Sequence, residues 1–170
     1  MKKSRKSFTL IELLVVVAII GILAAVGIPI FNGFMSTAKI SAATENHTRA
    51  RDMMTAYIAQ CSTGVDFKLQ ISPKPQQMST VSCNSNTTMG QFASYFGRHF
   101  YNTGFENPYT KVINYTTKSF IHASGCGGLG QTRMWHTGNG YTQSGYLTIT
   151  TNVGTEDGKS KCITASILKE

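Results

Sequence analysis

Glu12 is the only ionisable side chain between Phe8 and Phe31, in a run otherwise apolar enough to enter a bilayer. A carboxylate drawn from the lip of such a run toward the membrane centre costs up to roughly 3 kcal/mol. Its chemistry is therefore that of an ion-pair partner, and it calls for a cation. The four cysteines, Cys61, Cys83, Cys126 and Cys162, lie in the polar remainder and form no CxxC pair. That is the chemistry of structural disulfides in an oxidising compartment, not of metal binding or thiol catalysis. Three connectivities are open and spacing does not decide among them. Joining sequence neighbours, Cys61 to Cys83 and Cys126 to Cys162, is the favoured pairing, and on chain entropy each closed loop contributes about 3 to 4 kcal/mol.

Other residue patterns point to less. His47, His99, His122 and His136 lack ligand spacing, so no zinc site is expected. Oxidised cysteines cannot serve as nucleophiles beside them. Gly125-Cys126-Gly127-Gly128-Leu129-Gly130 spells GxGxxG, but Gly138-Asn139-Gly140 breaks any following helix and no acid appears before Glu156. A dinucleotide site needs both, so these glycines are read as a turn around a disulfide. No cofactor and no enzymatic activity are expected. From Met35 onward twelve Lys and Arg face seven Asp and Glu. Arg98, Lys111, Lys118, Arg133, Lys159 and Lys161, with Tyr and Trp135 interspersed, would form a stripe for a phosphate backbone if the fold gathers them. Lys159-Ser160-Lys161 is expected to project both lysines from one strand face. A solvated basic surface is the simpler reading.

These residues need elements to hold them. Leu13 to Phe31 is nineteen uncharged residues, and a helix of that length covers about 28 Å, near the thickness of a bilayer's hydrocarbon core. Lys2, Lys3, Arg5 and Lys6 precede it and no Lys or Arg follows until Lys39, which puts the start of the chain in the cytoplasm and the remainder outside. Beyond Pro29, Ile30, Phe34, Ala38 and Ala42, then Ala50, Met53, Met54, Tyr57 and Ile58, keep helical spacing, predicting one helix from about Phe8 to about Gln60 with a core-facing second half. Phe92, Phe96 and Phe100 predict a second short helix. Strands are predicted at Val112–Thr116, Lys118–Ala123, Thr132–Thr137, Tyr146–Asn152 and Ser160–Leu168, between turn residues such as Asn139-Gly140. The expected fold is α+β: a long helix packed against an antiparallel sheet.

Ser7-Phe8-Thr9-Leu10-Ile11-Glu12, followed by the apolar run from Leu13 to Ala25, resembles the class III leader and N-terminal helix of type IV pilins and pseudopilins. The resemblance implies a division into a leader at 1–7, a hydrophobic membrane and assembly helix at 8–34, and an amphipathic helix with a globular head at 35–170. It implies that a prepilin peptidase cuts between Ser7 and Phe8 and that the new Phe8 amine is methylated; Ser7 stands where the family usually carries glycine. Glu12 would then neutralise the Phe8 ammonium of a neighbouring subunit, and a head-to-tail contact that does not close gives a filament. A helix break between Gly21 and Pro29 during packing is also implied, as are an inner-membrane assembly platform and separate ATPases. The second disulfide resembles the C-terminal loop of many pilins, and Asn107-Pro108-Tyr109 the family's Asn-Pro-aromatic turn. Thr155-Glu156-Asp157-Gly158 sits where major pseudopilins hold calcium, although with two acids it reads as a hairpin turn. The implied function is a structural subunit of a pilus used in adhesion, twitching motility or DNA uptake. It is stored in the inner membrane with its head in the periplasm and then displayed on the cell surface. A DNA-binding minor pilin for natural transformation and a type II secretion pseudopilin are the alternatives.

Overall fold

A computed structural model describes residues 8–72, 77–84, 86–110, 120–137 and 145–168. Helix α1 runs from Leu10 to Ser62, 53 residues, a rod about 80 Å long at 1.5 Å per residue. Thr9 caps its start in extended backbone. Gly21 and Pro29 lie inside the helix, which runs through both without interruption. Its first half buries nothing: apolar side chains from Leu10 to Phe34 stand exposed. In its second half Ala43, His47, Ala50, Met54, Ile58 and Cys61 are buried, a repeat of three and four that marks one packed face.

Helix α2, Met89–Asn102, has Thr88 as N-cap, with Thr88 and Gln91 bonding reciprocally. It buries Met89, Phe92, Ala93, Phe96 and Phe100. Two short strands, β1 (Phe67–Leu69) and β2 (Ser79–Val81), pair antiparallel. Phe67 stacks on Tyr57 with centroids 4.6 Å apart and lies 6.3 Å from both Phe92 and Phe96, tying α1, β1 and α2 into one aromatic core.

The main sheet has the order β3-β4-β5-β6, with β3 at Phe120–His122, β4 at Thr132–His136, β5 at Tyr146–Asn152 and β6 at Cys162–Leu168. β4, β5 and β6 are antiparallel neighbours. Their inner face supplies Met134, Leu147, Ile149 and Ile167 to the core shared with Ala50, Met54 and Phe96, so both helices pack on that side. Two sequence expectations are corrected. β3 pairs with β4 in parallel, Phe120 opposite Thr132, because residues 123–131 cross back over the sheet instead of closing a hairpin. β6 begins at Cys162, so Lys159, Ser160 and Lys161 belong to the turn that precedes it and do not share a strand face. The predicted strand at Val112–Thr116 lies outside the described residues.

Candidate functional site

The start of α1 carries the residues singled out for assembly. Glu12 reaches back to the cap: its Oε2 accepts from the Thr9 backbone N at 2.8 Å and from Thr9 Oγ1 at 2.6 Å. Thr9 Oγ1 in turn accepts from the Glu12 N at 3.3 Å, completing a capping box. Thr9-x-x-Glu12 spells that box in the sequence, so Thr9 was findable there and was missed. Phe8 stands 80% exposed beside it. Phe8, Ile11, Glu12, Val15 and Val16 line one open groove. The structure thus brings Phe8 and Glu12 to one exposed apolar surface bearing a single carboxylate.

At the other end of the exposed segment the head grips the stalk. Ser36 Oγ donates to the Glu156 carbonyl at 3.3 Å, and Asn46 Nδ2 donates to the Glu106 carbonyl at 3.0 Å. The Asn107-Pro108-Tyr109 turn is a clasp. Asn107, buried, donates from Nδ2 to the Leu129 carbonyl at 2.9 Å and accepts from the Tyr109 N at 2.8 Å. The Tyr109 hydroxyl donates to the Val153 carbonyl at 2.6 Å, and burial raises its pKa. Lys39 Nζ sits 5.8 Å from the Tyr109 ring centroid, adding a contact from α1. Gly130, at φ 72°, has no room for a side chain because a Cβ would meet the Asn107 amide.

Cys61 joins Cys83, and Cys126 joins Cys162, with Cα atoms 5.0 and 6.0 Å apart. The first bridge ties the end of α1 to the segment just after β2. The second fastens the glycine loop across the outer face of the sheet, where Asn152 Nδ2 also donates to the Gly127 carbonyl at 2.8 Å. Gly125 and Gly130, both at positive φ, turn that loop, and β4 follows it with no helix between.

Among the described residues, the basic side chains singled out for a phosphate backbone do not all share one side of the sheet. Arg98 is exposed on α2, which packs on the inner side of the sheet. Arg133 alternates with the buried Met134, so it lies on the outer side. There it donates to Gln131 Oε1 and to the Ser124 carbonyl, each at 3.1 Å. Lys159 is paired with Asp157 at 2.7 Å, which with Thr155 holds that carboxyl below its usual range. Lys161 is exposed beside it; Lys111 and Lys118 fall outside the described residues. Among the described residues no three His, Cys, Asp or Glu side chains converge as a metal site.

Residues 2–28 match the family model described as the prokaryotic N-terminal methylation motif. The type IV major fimbrial protein FimA of Dichelobacter nodosus is 56% identical over 41 residues, 24% of this chain and 26% of that protein. The type IV major pilin protein PilA of Myxococcus xanthus (strain DK1622) is 39% identical over 72 residues, 42% of this chain and 33% of that one. These likenesses support a type IV pilin family. A fimbrial protein of Moraxella nonliquefaciens, 50% identical over 40 residues, is a further relative. The matches span about a quarter to a third of the length of these curated relatives. No solved structure matches the chain.

Proposed function

We propose that this pilin is a structural filament subunit, held in the inner membrane by α1 with its head outside, cut between Ser7 and Phe8, methylated at Phe8, and polymerised through the exposed half of α1. One observation carries the reading. Twenty-odd apolar residues of a continuous helix are left uncovered by the head, and the carboxylate of Glu12 stands at their start beside Phe8. A bilayer covers such a surface in the stored chain, and neighbouring copies cover it in a polymer. In an apolar surround an unpaired carboxylate or ammonium is penalised by several kcal/mol, so pairing Glu12 with the Phe8 amine of a neighbour sets the axial register. The break between Gly21 and Pro29 belongs, in this reading, to packing within the filament, since the single chain has none. The placement of Arg98 and Arg133 on opposite sides of the sheet supports a structural role over DNA capture.

The test is Glu12→Ala in the full chain, expressed with its secretion and assembly partners. Leader removal, read by mass spectrometry, is expected to continue, while surface filaments in electron micrographs are lost. Normal filaments from that variant, or an uncut first methionine on assembled protein, would refute the proposal.

A further inference from the structure

β6 closes the sheet with an open edge. It is the last strand in the order, its inner edge is paired to β5 from Cys162 to Leu168, and among the described residues no strand lies against its other side. β3, at the opposite edge, has three residues against seven in β6. An open edge presents unpaired N–H and C=O groups, and soluble proteins commonly blunt it with lysine, proline or a bulge. Cys162-Ile163-Thr164-Ala165-Ser166-Ile167-Leu168 carries neither charge nor proline. Thr164 and Ser166 are exposed, and Leu168 and its register partner Tyr146 are 48% and 49% exposed.

Within Cys162–Leu168 the strand is also self-complementary, with Lys161 and Lys169 facing each other only beyond the ends of the ladder. With two copies antiparallel and Ala165 opposite Ala165, Thr164 faces Ser166 and Ile163 faces Ile167 on both arms. Hydroxyl meets hydroxyl on the outer face, repeating the Thr150–Thr164 and Thr148–Ser166 contacts that join β5 to β6 at 2.8 and 3.2 Å. Isoleucine meets isoleucine on the inner face. A slip of one residue would set outer side chains against inner ones, and a slip of two would break the hydroxyl-to-hydroxyl facing by setting Thr164 or Ser166 against Leu168 or Cys162.

Direction limits the partner. Thr151 meets His47 on α1, and Glu156, farther along the chain, meets Ser36. β5 therefore descends the stalk toward the apolar segment, and β6 climbs away from it. Antiparallel edges set two stalks pointing opposite ways, an arrangement open to two filaments of opposite polarity and closed to copies in one membrane or one filament. A seven-residue strand is about 24 Å long in a sheet about 10 Å thick, so the contact covers about 240 Å² per partner, well under the roughly 800 Å² of a stable pair. One such contact dissociates readily, and a repeated row of them holds by avidity.

We infer that the free edge of β6 pairs with the β6 edge of a second copy, two-fold about Ala165, and so binds filaments of opposite polarity side by side. This rests on the filament reading above. Wild-type filaments are expected to lie in antiparallel pairs in electron micrographs. Thr164→Lys with Ser166→Lys, at two exposed positions, sets like charges opposite each other on both arms, and paired filaments are expected to disappear. Thr164→Lys with Ser166→Glu sets opposite charges there and restores pairing. Separately, Ala165→Cys in the detergent-solubilised full chain at high concentration is expected to give a covalent dimer through the introduced thiol on mild oxidation. Failure of any variant to form filaments counts against the filament reading, and the thiol dimer still reports on the edge. Unpaired wild-type filaments, pairs of like polarity, pairing undiminished by the two lysines, or no thiol dimer would overturn the inference.

Discussion

Acid should destabilise the head and its packing on the stalk, and two histidines set the size of the effect. His99, on α2, accepts the Gln70 N–H at Nδ1 over 3.0 Å. A backbone N–H can only donate, so a proton on Nδ1 ends that bond. His47, buried on the packed face of α1, contacts Thr151 Oγ1 at 3.0 Å, which contacts Thr132 Oγ1 at 2.8 Å. Hydroxyls can reverse their donors, so this chain survives protonation, and the cost is burial of a charge beside the Arg51 cation. Thr151 and Thr132 face His47 from the sheet, and Gln70 and the Phe100 ring face His99; none of these neighbours supplies a compensating anion. Burial lowers both pKa values from 6.5, with Arg51 adding to the shift at His47.

The sign follows from the proton count. The unfolded chain binds protons near 6.5 while the folded rings stay neutral, so the stability from these groups is complete above that pH and falls as pH drops toward the folded values. At about pH 5.5 the loss is at most about 1.4 kcal/mol per ring, or about 2.8 kcal/mol for both. At 2 to 4 °C per kcal/mol for a chain of this size, that is roughly 6 to 11 °C in Tm. Circular dichroism melts of the detergent-solubilised chain between about pH 7.5 and pH 5.5 measure it. His99→Gln, which keeps an acceptor for Gln70, should remove part of the slope, and adding His47→Gln should remove most of the rest. An unchanged wild-type Tm across that range, or an equal slope in the double variant, would refute the assignment.

Three further outcomes follow from the packing. Met54→Ala, at a fully buried position on α1, should cost about 2 to 5 kcal/mol of head stability, whereas Leu14→Ala, on the exposed half, should leave the same melt unchanged. Tyr109→Phe removes the bond to the Val153 carbonyl and should cost about 0.5 to 1.5 kcal/mol in chemical denaturation. Gly130→Ala, which also forces a side chain against the Asn107 amide, should cost more than Tyr109→Phe by the same measurement.

Local signals carried most of what the sequence disclosed. The α1 boundaries, Leu10 and Ser62, fall within two residues of those read from the apolar run and the Ala50-to-Ile58 repeat. Phe92, Phe96 and Phe100 announced α2 through a spacing that depends on one helix alone. β5 was legible from Tyr146 to Asn152 for the same reason. What escaped depends on partners distant in the chain. The parallel sense of β3 is decided by where residues 123–131 return, which nothing within Phe120–His122 encodes. Asn107 and Tyr109 gain their importance from Leu129 and Val153, 22 and 44 residues away. Lys159 and Lys161 looked strand-like by alternation, but the turn bonds of Thr155 to Lys159 end the loop only just before Cys162.

Glu12 sits between those two classes. Its local partner, Thr9, explains why a carboxylate is tolerated at this helix start: the capping box and the positive end of the helix dipole both favour it there. That is enough to hold the acid in a chain at the membrane surface and too little to hold it against an apolar surround, where an unpaired charge is penalised by several kcal/mol. The cap and the proposed intersubunit pair therefore do not compete on equal terms. In the proposed filament, as neighbouring helices exclude water from the groove around Phe8, Ile11 and Val15, the penalty on an unmatched Glu12 grows while the capping bonds stay constant. A subunit halted one turn short or long is then less stable than one in register, although both bury comparable apolar area. In the filament we propose, hydrophobic burial drives this helix into the polymer, and Glu12 decides where along its neighbour it comes to rest.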